Sequence, residues 1–224
     1  MPLFGVAVEH SKTKITSGAA QVTLEQFAPK KGGHFPAVIA LHGSGGILES
    51  SYLQPAEMLA GAGFGVFIPH YFDTTGDLWP DHAACIRDWP IWMEVVKHTL
   101  DYTSAQPFID PTRTALVGFS LGAYLALSVA GHDERVKAVV EFFGALPEDL
   151  NHTIERMPPV LILHGEHDDK VPVAEAHKLE QLLQQHGREY EIKIYQGAGH
   201  IFRGFTLMDS AQRTLAFLKR HLKQ

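Results

Sequence analysis

Short apolar runs separated by amphipathic stretches recur along this chain. Pro36-Ala37-Val38-Ile39-Ala40-Leu41, Phe64-Gly65-Val66-Phe67-Ile68, Val136 to Phe143 and Pro159 to Gly165 are too short for helices. They are rich in β-branched and aromatic residues, so each predicts a buried strand. Ala115-Leu116-Val117 reads the same way, and Tyr190 to Tyr195 alternates like a strand. Gln21 to Phe27 also alternates and is expected as an edge strand paired with residues 3–9. Helical spacing marks Gln54 to Ala62, Ile91 to Tyr102, the segment after Gly122, Val173 to Gln185 and Ser210 to His221. Residues 69–90, interrupted by Trp79-Pro80 and Trp89-Pro90, predict an irregular segment. The βα alternation predicts an α/β fold: a doubly wound, mostly parallel sheet of about seven to eight strands flanked by helices. A single domain is expected over residues 1–224. Only residues 144–158 separate two of the strands, room for a pocket wall and not for a large cap domain.

The chemistry concentrates where strands end. Gly118-Phe119-Ser120-Leu121-Gly122 joins an apolar strand to a helix-forming series, and G-x-S-x-G in that context is a nucleophile elbow. The sharp reversal exposes the Ser120 hydroxyl, and glycines at 118 and 122 let strand and helix pass closely. A serine hydroxyl needs a base and the base needs an orienting acid, here expected in the order Ser, acid, His. Pro159 to Gly165 leads into Glu166-His167-Asp168-Asp169, and the strand Tyr190 to Tyr195 leads into Gly197-Ala198-Gly199-His200. His200 is therefore the candidate base. Asp168, in the pattern G-x-x-D-x-x-V-P, is the favoured acid; Asp169 and Glu166 are alternatives. All three strand ends fall on the carboxyl edge, where open α/β sheets bind ligands.

An oxyanion needs donors already in place. The backbone N–H of Leu121, directly after Ser120, is one expectation. The loop His42-Gly43-Ser44-Gly45-Gly46 supplies the other, assigned to Ser44 with Gly45 as runner-up. A dinucleotide fingerprint is ruled out there, because position 48 is Leu where G-x-G-x-x-G needs glycine. His42, Tyr71 and Trp79 are expected to contact substrate, with Phe72 beside them to line an apolar pocket. Each aromatic could equally pack its loop onto the sheet, and His42 could be an ordinary loop histidine. Cys85 reads as a free thiol without a nearby base. His164-x-x-His167-Asp168 is the densest histidine group, but its side chains leave a strand on different faces, so no metal site is expected. Ser11-Lys12-Thr13-Lys14 matches S-x-x-K by spelling only.

Composition narrows the class. The chain has 224 residues, 45% of them hydrophobic, enough to bury a full core. A net charge of −6 gives no basic footprint for nucleic acid, and no partner of that kind is expected. One cysteine excludes an internal disulfide framework and suits a reducing compartment. Residues 1–10 lack the pattern of a secretory signal, and no stretch reaches the roughly 18 apolar residues of a membrane span. A cytoplasmic monomer or homodimer acting without a cofactor or a membrane is the expectation.

These motifs together resemble the dienelactone hydrolase family of the α/β-hydrolase superfamily. The resemblance rests on Leu41-His42-Gly43, Gly118 to Gly122, Gly165 to Asp168 with Val171-Pro172, and Ala198-Gly199-His200, and runs from about residue 20 onward. The name-giving enzymes of that family use a cysteine nucleophile; position 120 here is serine. They also grip a substrate carboxylate with arginines. Arg203 resembles one of them, and Pro69 to Thr74 lacks the other. The resemblance implies a serine carboxylesterase or lactonase acting on a small ester or lactone through an acyl-enzyme. A peptidase or acyl-aminoacyl hydrolase with the same triad, an acyltransferase, and a non-catalytic binding protein on the hydrolase fold are the alternatives.

Overall fold

The computed structural model describes residues 6–30, 32–47, 52–76 and 78–223. The eight strands among the described residues form a mostly parallel sheet flanked by helices, the doubly wound α/β architecture that the βα alternation predicts. The chain divides into two compact units, Met1–Thr114 and Ala115–Gln224.

The first unit holds β1 (Val8–Ser17), β2 (Ala20–Pro29), β3 (Phe35–Leu41), α1 (Leu53–Gly61), β4 (Gly65–Pro69) and α2 (His82–Ser104). These strands lie in the order β1-β2-β4-β3. β2 runs antiparallel to β1 and β4, while β3 and β4 are parallel. The continuous apolar runs of β3 and β4 are buried almost throughout, as strands covered on both faces require.

Two expectations need correction here. Gln21–Phe27 is not an edge strand but lies between β1 and β4, and the β1 residues opposite it are His10 to Thr16, not residues 3–9. Residues 3–5 of that expected strand lie outside the described residues. β1 carries little apolar alternation because most of it is exposed; only Ile15 and Ser17 are buried. Gly18, at φ 58, opens the two-residue turn between the strands, a position that primed hairpin turns reserve for positive φ.

The second correction is α2, which begins at His82 and runs through Pro90, so the irregular segment is shorter than 69–90. Asp81 caps the helix, its carboxylate accepting the Ala84 N–H at 2.8 Å. Ala84, Asp88, Trp92, Val95, Val96 and Thr99 form a buried stripe at helical spacing that carries the helix past the proline.

The second unit continues from β5 (Ile109–Phe119), which begins in the first. Next come α3 (Leu121–His132), β6 (Val136–Phe142), α4 (Leu150–Thr153) and β7 (Val160–Gly165). α5 (Ala174–Gln185), β8 (Tyr190–Tyr195) and α6 (Gly204–Leu222) complete it. The order is β5-β6-β7-β8, with β6, β7 and β8 paired in parallel. Residues 144–158 hold α4 and a 3-10 turn, Ile154–Arg156, and no cap domain is inserted there. α6 starts six residues before the expected Ser210, because its first turns expose Phe205, Leu207 and Met208 and so break the apolar stripe of a surface helix. No helix among the described residues is long and apolar enough to cross a membrane.

Candidate active site

Ser120 stands between the last residue of β5 and the first of α3, at φ 54 and ψ −117. That conformation costs a residue with a Cβ about 1–3 kcal/mol and persists only where the surroundings enforce it. The enforcement is a close crossing of strand and helix. A Cβ on Gly118 would lie 2.3 Å from the Gly122 carbonyl oxygen and 2.4 Å from Ala123 Cα. The Ser120 N–H donates to Phe142 O on β6 at 2.9 Å, and its carbonyl accepts the Ala123 N–H at 2.9 Å. Leu121 is the first residue of α3, so its N–H has no carbonyl partner within the helix.

His200 reaches this serine from the loop after β8. Its Nε2 lies 3.0 Å from Ser120 Oγ, and its Nδ1 lies 2.7 Å from Asp168 Oδ2. An aspartate oxygen beside Nδ1 requires that nitrogen to donate, which leaves Nε2 to accept the serine hydroxyl proton. The Asp168 side chain has no exposed surface; that of His200 is 17% exposed. Asp168 Oδ1 accepts the backbone N–H groups of Lys170 and Val171, each at 2.9 Å, so the carboxylate is pinned at both oxygens. Asp169 points away, exposed and paired with Lys170. Glu166 is also exposed and accepts the Gly197 N–H at 3.0 Å.

The acid turn and the histidine loop are tied backbone to backbone. Glu166 N–H donates to Tyr195 O at 3.0 Å and His167 N–H to Ala198 O at 2.9 Å. Gly165 makes this possible: a Cβ there would stand 2.5 Å from the carbonyl oxygens of both Ala198 and Gly199. Three supporting residues escaped sequence reasoning. Gly165 was visible within G-x-x-D, but its role as a clearance for the histidine loop was not. His164 is fully buried beside Asp168. Phe143, at φ 45, sets its ring 4.7 Å from the His200 imidazole and packs edge-on against Phe202.

The glycine-rich loop of the first unit is held by its own network. Tyr71 Oη donates to His42 O at 2.6 Å, and His42 Nδ1 donates to Gly43 O at 2.8 Å. Gly43 N–H donates to Tyr52 Oη at 3.0 Å, and Trp79 N–H to Ser44 O at 3.0 Å. His42 and Tyr71, expected at a pocket surface, are buried and stacked on one another, and Phe72 is buried against both. Their rings support the loop from within. Burial pushes the His42 pKa down to about 4, so its imidazole is neutral near pH 7. Ser44 and Gly45 are half-buried on this loop. Trp79 is 67% exposed at φ 57, with its ring against Gly45. In the second unit, Arg203 is exposed and occupies the N-cap position of α6 without a side-chain capping hydrogen bond. Cys85 is partly buried, and burial raises its thiol pKa.

A family model described as the dienelactone hydrolase family matches residues 25–214. The chain belongs to that hydrolase family. Among curated proteins, a Methylorubrum extorquens protein provisionally named a carboxymethylenebutenolidase is 25% identical over 195 residues. That match covers 78% of this chain and 65% of the relative. Mouse acyl-coenzyme A thioesterase 1 is 29% identical over 159 residues, covering 69% of this chain and 35% of that protein. The chain thus spans about two thirds or less of the length of these relatives. A dienelactone hydrolase from Anabaena variabilis has the same fold, with a TM-score of 0.79 at 21% identity over 96% of this chain and 99% of that one. Within the dienelactone hydrolase family, then, this member carries a serine at the elbow, hydrogen-bonded to a histidine and through it to a buried aspartate.

Proposed function

We propose that this chain is a serine hydrolase that cleaves a small carboxylic ester or lactone through Ser120, His200 and Asp168. One observation carries the reading: a single imidazole hydrogen-bonded at both nitrogens, to Ser120 Oγ at 3.0 Å and to Asp168 Oδ2 at 2.7 Å, with the serine on a strained elbow. His200 Nε2 takes the hydroxyl proton as Ser120 Oγ attacks the ester carbonyl carbon. The tetrahedral oxyanion receives the Leu121 N–H at the start of α3. Collapse breaks the bond to the alkoxy oxygen, which leaves with the proton held by His200. Water then attacks the acyl-enzyme by the reverse proton path, releasing the acid and restoring Ser120. Asp168 holds the imidazole in the tautomer that makes Nε2 the base and stabilises its charged form. A cytoplasmic, cofactor-independent setting accompanies this reading.

The test is labelling by a fluorophosphonate, located by intact mass and peptide mapping, in wild type and Ser120→Ala. One adduct on Ser120, absent from the folded variant, is the expected result. An adduct on folded Ser120→Ala, or none on wild type, would remove Ser120 as nucleophile. Thioesters belong on the substrate panel beside esters, lactones and anilides, since an acyl-coenzyme A thioesterase is among the relatives and a thioester carbonyl is open to attack by the same activated hydroxyl.

A further inference from the structure

Glu141 is a fully buried carboxylic acid on β6, two residues before the turn that follows the strand. Its Oε2 accepts the Gly144 N–H at 2.8 Å, and its Oε1 has no hydrogen-bond partner among the described residues. Burial raises its pKa, partly offset by the Gly144 N–H, and no charged side chain among the described residues contributes. A carboxyl group placed there without an ion partner is costly unless the one bond it makes matters.

That bond closes a turn with unusual surroundings. Phe143, spanned by the Glu141–Gly144 bond, has φ 45, a left-handed conformation disfavoured for an aromatic residue. Its N–H donates to Leu163 O on β7 at 2.9 Å. Gly144 is pressed against the first turn of α3: a Cβ there would lie 2.6 Å from Ala123 Cβ and 3.0 Å from Glu141 Oε2. Just upstream, Phe142 O receives the Ser120 N–H. Downstream of the strained backbone, the Phe143 ring lies 4.7 Å from the His200 imidazole, tilted 56°. The turn therefore touches the serine elbow on one side and the histidine on the other.

We propose that Glu141 is a positioning residue, whose hydrogen bond to Gly144 holds Phe143 in the left-handed region and so sets the Phe143 ring against the His200 imidazole. The ring confines the imidazole to the orientation in which Nε2 faces Ser120 Oγ. Glu141 touches no reacting atom. This rests on the reading of Ser120 and His200 as the reacting pair.

The test compares Glu141→Gln, Glu141→Leu, Phe143→Gly and the double variant Glu141→Leu/Phe143→Gly, in kcat, KM and fluorophosphonate labelling rate of Ser120. Folding is checked by circular dichroism. Glu141→Gln keeps an acceptor for the Gly144 N–H and should stay within about twofold of wild type. Glu141→Leu should lower kcat and labelling by about tenfold with KM unchanged, since a displaced base weakens the chemical step more than binding. Phe143→Gly keeps the permitted backbone and removes the ring, and should give a similar loss. The double variant should be no worse than Phe143→Gly alone, because both changes act through one contact. Unchanged kcat and labelling in folded Glu141→Leu, or losses that multiply in the double variant, would overturn the proposal. If Glu141→Leu does not fold, failure of Glu141→Gln to match wild type, or full activity in Phe143→Gly, would do the same. Wild type that labels while Glu141→Leu labels equally defeats this inference alone; wild type that fails to label defeats the functional reading with it.

Discussion

His164 and Asp168 face one another inside the second unit, with His164 Nε2 3.4 Å from Asp168 Oδ2, the oxygen that His200 Nδ1 engages at 2.7 Å. Neither the His164 nor the Asp168 side chain is exposed. His164 Nε2 also donates to Val171 O at 2.9 Å, which puts its proton on the side facing the carboxylate and leaves Nδ1 buried without a hydrogen-bond partner among the described residues. Burial lowers the pKa of this imidazole below its ordinary value, so it is a neutral dipole at pH 7. Asp168 is thereby held between two histidines, one fixed in the core and one reaching the serine.

His164→Leu should therefore injure both stability and rate. The Val171 carbonyl loses its donor at a cost of about 1–3 kcal/mol. Loss of a neighbour that orients the carboxylate should lower kcat by roughly tenfold or more. Thermal unfolding and steady-state kinetics check the two effects separately. Lost stability with full kcat would make His164 a packing residue only.

The choice among three neighbouring acids is open to direct test. Asp168→Asn keeps the shape of the side chain but lets the imidazole take the wrong tautomer, and should cut kcat by roughly 10³-fold or more with little change in KM. Asp169→Asn and Glu166→Gln alter exposed carboxylates outside the His200 contact and should stay within about twofold. A large loss in Asp169→Asn with little loss in Asp168→Asn would reverse the assignment.

Gly165→Ala tests the clearance beneath the histidine loop. Its Cβ would meet two carbonyl oxygens at 2.5 Å, both backbone, so the loop carrying His200 must move. Overpacking of this kind costs about 1–3 kcal/mol. A displacement of even 1 Å at the base can cost about 10²-fold in rate. The expected signature is kcat falling far more than Tm; equal kcat would mean that the loop adjusts without shifting His200.

The strands and the three polar residues were legible because each rests on a local pattern. β3, β4, β6 and β7 announce themselves as short apolar runs, and Ser120 and His200 are framed by glycines at strand ends. What escaped depends on tertiary company. β1 is mostly exposed and has no apolar rhythm; α2 passes through Pro90 because its buried stripe outweighs one lost hydrogen bond. For Tyr71 and His42 the sequence left pocket contact and loop packing equally open; stacking and a 2.6 Å hydrogen bond bind them into the loop's support. Glu141 sits in a run that reads as a buried strand, and nothing local says its carboxyl group has Gly144 as partner.

Glu141 also makes stability depend on pH in a direction that can be worked out. Burial raises its folded-state pKa from 4.5 to about 8, so the folded protein keeps this proton where the unfolded chain has released it. The folded state binds more protons between these values, and stability must fall as pH rises. The protonated carboxyl's contribution is full below about pH 4.5, declines by up to about 1.4 kcal/mol per pH unit, and levels off above about pH 8. Glu141→Gln cannot ionise and lacks this slope. Denaturant midpoints of both proteins at pH 5, 6.5 and 8 should therefore diverge in favour of the glutamine variant as pH rises. A difference that stays constant across the three pH values would mean that Glu141 ionises as readily in the folded protein as in the unfolded chain. The burial argument would then fail at its source.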